Sequence, residues 1–486
     1  MWSRAREWSR ASSWAARALQ PQTQQQQLPP PPAPRGLPLV GTTLDLIAAG
    51  SAPRLHHYVD QRHRQLGPVF RDSIGPVDAV FVSDPNEMRR VFSLEGRYPA
   101  HIVPEAWLLY NQVYGYKRGL FFMEGEEWQR FRRVLAGQLL RASSVPELLL
   151  APCHAVAKDF AAELAPGQVV PDLESRMYLW ATDVLVAVLL GAQRYGELRS
   201  QLRAPTRELA GAVHKVFGES ARLSLMPAKL ARLLHLPAWR HFVSAVQAAL
   251  DQGNALVTRL IPECAAGNGL LGRLLAAGVS HDDARRLVVD LLLAAGDTTA
   301  YSMLWLVLLL AKHPSVQEEL HGALSQPAAA EPEAAARLPL ARGVIREALR
   351  LYPVAPFLCR YLPEDADIGG YRVSAGQLVV LSLYTSGRSE ANFPQAGRFW
   401  PQRWLRDSAG AYRGVTASHA SLPFAMGARS CVGQKLAETQ MALLIAEITK
   451  RFRLELADGA EPEPEMVLRL VSVPSRPVRV RPLPRL

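Results

Sequence analysis

Apolar residues recur every three to four positions along most of the chain. That spacing predicts helices over 126–141, 177–191, 206–218, 239–261 and 282–311, because such positions fall on one helical face. Strand-like stretches are few: 77–82, 371–383 and 478–480. The Ala/Glu/Pro-rich stretch 327–336 reads as a surface loop or weak helix. No linker divides the body and no internal repeat is visible. The expectation is a mainly α protein with a small β portion, in one large domain.

The most apolar long segment is 284–311. Ser280 is a plausible N-cap with Asp283 three residues on, and Lys312 and Pro314 mark the end. Its length would span a bilayer, but Asp297, Thr298 and Thr299 sit at its middle. An ionised Asp at the bilayer centre costs about 2.5–3.5 kcal/mol on insertion scales. The segment is therefore expected to cross the core of a soluble domain, with its polar break facing a site.

Residues 1–20 are rich in Arg, Ser, Ala and Trp and nearly free of acids. On a helix Trp8, Ala11, Ala15 and Leu19 share one side, the composition of a mitochondrial transit peptide. A Gln run at 24–27 and a Pro run at 29–32 follow as a low-complexity linker. Ordered chain is expected from about Pro34, giving 1–33 as transit peptide and linker and 34–486 as the folded domain.

Composition narrows the chemistry. The net charge of +11, from 55 Lys and Arg against 44 Asp and Glu, suggests an anionic partner. No nucleic-acid module or aromatic-basic stripe accompanies it, so a nucleic-acid partner is not expected. Four cysteines without a C-x-x-C pair exclude a disulfide scaffold and argue against structural zinc.

The sharpest signal is Phe424-Ala-Met-Gly427-Ala-Arg429-Ser-Cys431-Val-Gly433, followed by an apolar helical stretch. Glycines permit positive φ and close backbone approach. A helix N-terminus would favour a thiolate at Cys431, as nucleophile or as metal ligand. A catalytic thiol wants a nearby His or a phosphate loop; only His419 is close in sequence. Glu347 and Arg350 share a helical face at i, i+3, as Trp128 and Arg132 do at i, i+4.

These segments resemble the cytochrome P-450 haem-thiolate monooxygenases, over about residues 34–486. The cysteine loop matches that family's F-x-x-G-x-R-x-C-x-G at every fixed position. The resemblance implies haem b, held by Cys431 in the loop that Phe424 opens. Trp128, Arg132, Arg360 and Arg429 would bind its propionates. Glu347 and Arg350 match E-x-x-R, and Phe399-Trp-Pro401-Gln-Arg403-Trp404 resembles the segment supplying a second arginine. Those three would form a buried structural network. Gln402 stands where many members have Glu. Ala294-Ala295-Gly296-Asp297-Thr298-Thr299 resembles the oxygen-activation motif, with Ala295 in place of a usual glycine. Thr298 would support the bound oxygen and Asp297 would pass protons inward.

The transit-like N-terminus points to the mitochondrial branch, on the matrix side of the inner membrane in peripheral contact with it. Arg342, Arg346 and Lys435 would dock an acidic ferredoxin. Gln434 and Lys435 replace the two arginines many mitochondrial members carry there. Within the branch, Gly296-Asp-Thr-Thr-Ala-Tyr301, Leu351-Tyr-Pro-Val354 and Leu381-Ser-Leu-Tyr-Thr-Ser-Gly-Arg388 resemble arthropod ecdysteroid 2-hydroxylases. They also resemble vertebrate steroid 11β-hydroxylases. The expected substrates are O2 and a steroid, with pocket walls at 102–116, 291–295, 354–357 and 473–475. Two alternatives stand beside this: a reductase-independent haem-thiolate isomerase or peroxide user, and a haem sensor or carrier. Retention of Asp297-Thr298 argues against both.

Overall fold

The computed structural model describes residues 28–223, 226–264, 268–457 and 463–485. The expected transit peptide lies outside the described residues. The Pro run does not: the carbonyls of Pro29 and Pro32 accept hydrogen bonds from Arg372 and Arg71 N–H (3.0 and 2.9 Å). The run read as linker is thus tied to strands, and ordered chain starts before Pro34.

In chain order the main elements are α1 (Thr43–Ala48), α2 (Leu55–Leu66), β1 (Val69–Ile74), β2 (Val77–Val82), α3 (Pro85–Ser93), α4 (Glu105–Tyr114), α5 (Gly125–Leu139), α6 (Leu150–Ala162) and α7 (Leu173–Leu190). Then come α8 (Ala192–Arg222), α9 (Ala228–Leu233), α10 (Pro237–Leu260), α11 (Leu270–Ala276), α12 (His281–Lys312), α13 (Pro314–Leu324), α14 (Pro332–Arg337) and α15 (Pro339–Leu351). The rest are β3 (Phe357–Tyr361), β4 (Ala366–Ile368), β5 (Tyr371–Val373), β6 (Leu378–Ser382), α16 (Leu383–Gly387), α17 (Gln434–Arg451), β7 (Phe452–Leu456), β8 (Met466–Arg469), β9 (Val471–Pro474) and β10 (Val480–Pro484).

Helix α12 is the axis of the molecule. It runs unbroken for 32 residues, about 48 Å at 1.5 Å per residue. Ser280 caps it, its hydroxyl accepting from Asp283 N–H at 3.1 Å, and it stops at Lys312 as its sequence dictates. Helices α7 and α10 pack along it, and α8 packs on α10. Burial of nearly all its apolar residues makes it a core helix. Its start is held by Arg118, whose Nε donates to Asp290 at 2.8 Å in a buried pair.

Strand order β1-β2-β6-β3 makes one four-stranded sheet, with β2 and β6 parallel across almost 300 residues of intervening chain. The stretch 371–383 is not one strand. Gln377 N–H returns to the Ser374 carbonyl at 3.0 Å, with Gly376 at φ +74, so β5 pairs with β4 and β6 joins the large sheet. The last strand lies at 480–484 rather than 478–480. Its Pro482 and Pro484 are tolerated in a two-stranded edge pairing with β7. Helix α8 begins well before residue 206 and passes through Pro205; packing against α7 and α10 outweighs the one missing N–H.

Candidate functional site

The cysteine loop is a tight turn pinned from inside. Cys431 N–H donates to the Phe424 carbonyl at 2.8 Å, and Ser430 N–H to that of Gly427 at 3.2 Å. Gly427 sits at φ +80. Gly433 does not use that freedom: it lies at φ −88 as the N-cap of α17. The second left-handed residue is Ala425, at φ +58. Burial pushes the Cys431 thiol up, against the opposing pull of the Gly433 N–H and Arg132. The helix-terminus argument for a thiolate is thus outweighed by desolvation. A bound metal reverses this, since a coordinating thiol is deprotonated outright. The same residue has exposed surface. A thiol that is both exposed and desolvated faces a hollow enclosed by protein.

Helix α12 shows the other wall. Leu291, Ala294, Ala295 and Thr298 are exposed or half-exposed, while their neighbours on the helix are buried. Spacings of three and four put them on one stripe. A helix in the core exposes such a stripe only to an internal space. Thr298 Oγ1 donates to the Ala294 carbonyl at 2.9 Å. Helix α17, which carries the cysteine loop, reaches α12 through Gln440, whose amide lies 3.4 Å from Thr299 Oγ1.

Asp297 turns away from this stripe. It is 0% exposed, and neither carboxylate oxygen has a hydrogen-bond partner among the described residues. Burial first, then the negative charge of Glu174, hold its carboxyl well above the usual carboxylate range. Tyr301, one turn along, donates to Glu174 Oε1 at 2.7 Å. Tyr178 packs edge-on against Tyr301 and also against His214.

Cationic groups gather beside the cysteine loop. Arg429 crosses the Trp128 ring at 4.4 Å and donates to the Pro99 and Met123 carbonyls. Burial, with Arg360 next, lowers its pKa to about 10. Arg132 Nη2 donates to Ser430 Oγ at 3.1 Å. Arg360 has one buried Nη2 without a partner among the described residues, as has His101 at Nε2. Burial, then Arg429 and Arg360, lower His101 to about 4. His101 and Glu95 are the members the sequence did not indicate; no periodicity or motif marks them, and only the fold brings them here.

Glu347, Arg350 and Arg403 come together with all three side chains 0% exposed. Arg350 takes both Glu347 oxygens (2.9 and 2.7 Å), and Arg403 Nε, Trp400 N–H and Trp404 Nε1 add three more bonds. The two guanidinium groups cap carbonyls of Gly387, Ala396, Pro394 and Gly414. Of the expected docking residues, Arg342 is exposed. Arg346 donates to Tyr412 OH at 3.0 Å, and Lys435 Nζ to the Arg141 carbonyl at 2.8 Å.

The residues fit a haem. The Cys431 thiol would hold the iron, the uncovered stripe of α12 would supply an apolar wall, and Arg360 and His101 keep buried nitrogens unspent for carboxylates. Arg132, Arg360 and Arg429 offer more positive charge than Glu95 balances, which suits a dianionic group.

Comparison with known proteins agrees. The cytochrome P450 family model matches residues 30–481. Mitochondrial cytochrome P450 315a1 of Drosophila melanogaster is 41% identical, covering 94% of this chain and 89% of its own length. Mitochondrial cytochrome P450 11B2 of Mesocricetus auratus is 30% identical over 89% of this chain and 87% of its own. The structure of a retinoic acid-bound cyanobacterial cytochrome, CYP120A1, superposes with a TM-score of 0.76 at 20% identity, covering 94% of this chain and all of the other, which speaks for the fold. By its whole-length match, its cysteine loop and its fold, the chain is a haem-thiolate monooxygenase of the cytochrome P450 family.

Proposed function

We propose that this enzyme is a mitochondrial steroid hydroxylase. It hydroxylates carbon 2 of a 2-deoxyecdysteroid, with O2 as oxidant and electrons from a ferredoxin, on the matrix side of the inner membrane. The observation that carries the reading is the apolar stripe Leu291, Ala294 and Ala295 ending in the Thr298 hydroxyl, left uncovered on a core helix that packs against the helix following Cys431. Similarity over nearly the whole chain to a mitochondrial P450 of an insect supports the substrate class.

When bound, haem b would supply oxygen activation, and Cys431 is the residue that would hold its iron. The chain's own residues do the rest. Arg360, Arg429, Arg132 and Trp128 anchor the propionate edge. Glu347, Arg350 and Arg403 hold the carbonyls of the approach to the cysteine loop. Asp297, kept neutral by burial and by Glu174, holds a proton ready beside the space. Thr298 Oγ1, now turned to the Ala294 carbonyl, is free to rotate and donate into the space. Leu291, Ala294 and Ala295 give an apolar wall that orients a steroid by contact and excludes water. Arg342, exposed near the start of α15, is the leading cation of the docking face.

Reconstituted turnover tests this. The chain lacking residues 1–27 is combined with mitochondrial ferredoxin, its reductase, NADPH and 2-deoxyecdysone. Ferredoxin-dependent formation of ecdysone is the expected result. A normal thiolate–carbon monoxide band with no product overturns the substrate. Hydroxylation of 11-deoxysteroids instead would favour the reading that the 30% identical P450 11B2 suggests.

A further inference from the structure

Glu95 has no role in the proposed chemistry, yet it is a buried carboxylate beside the cysteine loop. It follows α3 directly, and its two oxygens reach two different elements. Oε2 accepts from Arg360 Nε on β3 at 2.6 Å. Oε1 accepts from the N–H of Ala428, three residues before Cys431, at 2.6 Å. The approach is so close that a Cβ on Gly427 would lie 2.2 Å from Oε1. Gly427 is therefore needed both for its φ of +80 and to admit this carboxylate.

The consequence falls on Arg360. Its Nε edge is taken by Glu95 and its Nη1 by the Cys359 carbonyl at 2.8 Å, which leaves buried Nη2 as the one nitrogen without a partner among the described residues. A guanidinium is a planar fork, so fixing one edge fixes the direction of the other. Arg429 and His101 lie around the same point.

We infer that Glu95 is a positioning residue: it aims the free Nη2 of Arg360 at a haem propionate and, with the same carboxylate, locks the Gly427–Ala428 turn of the cysteine loop. One side chain thereby ties the propionate anchor to the axial-ligand loop. The inference deepens the haem assignment and rests on it. Partners of this outer kind change affinity for the bound group by about 10–100-fold when removed.

Glu95→Gln separates the two contacts. The amide oxygen still accepts from Ala428 N–H, but the amide NH2 cannot accept from Arg360. The measurement is haem loss from the holoenzyme to excess apomyoglobin, with native haem and with haem dimethyl ester, whose propionates carry no charge. E95Q is expected to lose native haem about ten-fold faster than wild type and to lose the ester at the wild-type rate. Glu95→Ala, which removes both contacts, speeds the loss of both. Equal acceleration of native haem and ester by E95Q, or no acceleration of either, overturns the inference, because a merely structural role does not distinguish the propionates. Should E95Q not fold, Glu95→Asp, one methylene too short to span both partners, carries the same comparison. A wild-type protein without a thiolate–carbon monoxide band would instead refute the haem assignment itself.

Discussion

Among the described residues two carboxylates lie at 0% exposure, Glu347 and Asp297, and they are opposites. Glu347 accepts five hydrogen bonds, two ends of one guanidinium among them. Asp297 accepts none from the described residues. A buried charge is tolerated when paired and hydrogen-bonded; without partners the group neutralises instead. Glu347 is thus held by ion pairs to two buried arginines. Asp297 is held as an acid by burial and by Glu174. The first is finished chemistry that can only hold a shape. The second keeps its carboxyl unspent, with no partner among the described residues.

The contrast is sharpest on removal. Glu347→Ala strands Arg350 and Arg403 in the core, and breaking a buried pair of this kind costs about 3–5 kcal/mol. We expect the purified protein to lose its thiolate–carbon monoxide band and to unfold at much lower urea; a near-native midpoint would show that the network does not hold the loop. Thr298→Ala removes only a hydroxyl that bonds back to its own helix. The fold should be unaffected, whereas peroxide release per NADPH consumed should rise several-fold as oxygen use uncouples from product. Unchanged peroxide would take Thr298 out of oxygen chemistry.

Smaller effects belong to the surface and to pH. Arg342→Glu should raise the ferredoxin concentration for half-maximal turnover a few-fold at low salt. The difference should shrink as ionic strength grows, because exposed charges are screened over about 8 Å at physiological salt. A salt-independent change would place the docking face elsewhere. Burial and the neighbouring His57 lower His56 from 6.5 to about 3. Its native state is neutral while the unfolded chain takes up a proton below 6.5. The stability it contributes is therefore present above pH 6.5 and is lost as pH falls toward about 3. Burial raises Asp183 to about 7, with the opposite sign: its contribution is full below 3.8 and is lost as pH rises through 7. His56→Phe should reduce the stability slope between pH 4 and 6 by about 1.4 kcal/mol per pH unit, one proton's worth. Urea unfolding at several pH values reads this slope, and an unchanged slope would contradict it.

The helices were legible because their signals are local. Ser280, Asp283, Lys312 and Pro314 set the ends of α12 where the chain puts them. The cysteine loop was legible because its residues are contiguous. The sheet was not, since β2 finds β6 from almost 300 residues away. The turn at Ser374–Gln377 lies inside a stretch that reads as one strand, and the start of α8 lies upstream of Pro205, whose missing N–H packing outweighs. Within the site, motifs marked Asp297 and Thr298 together, yet only the fold shows that one faces the space and the other is sealed behind it. Glu95 and His101 lie in an unremarkable stretch and gain meaning only from Arg360 and Arg429 around them.

Asp297→Asn is the most direct test, because it keeps the shape of the side chain and removes the proton it can donate. The measurement is steroid product formed per minute under saturating ferredoxin, alongside the ferrous carbon monoxide band and the urea midpoint. We predict a fall in product of about a hundred-fold, with band and midpoint at wild-type values. Full turnover would contradict the division of labour between the two carboxylates, as would loss of the band together with the fold.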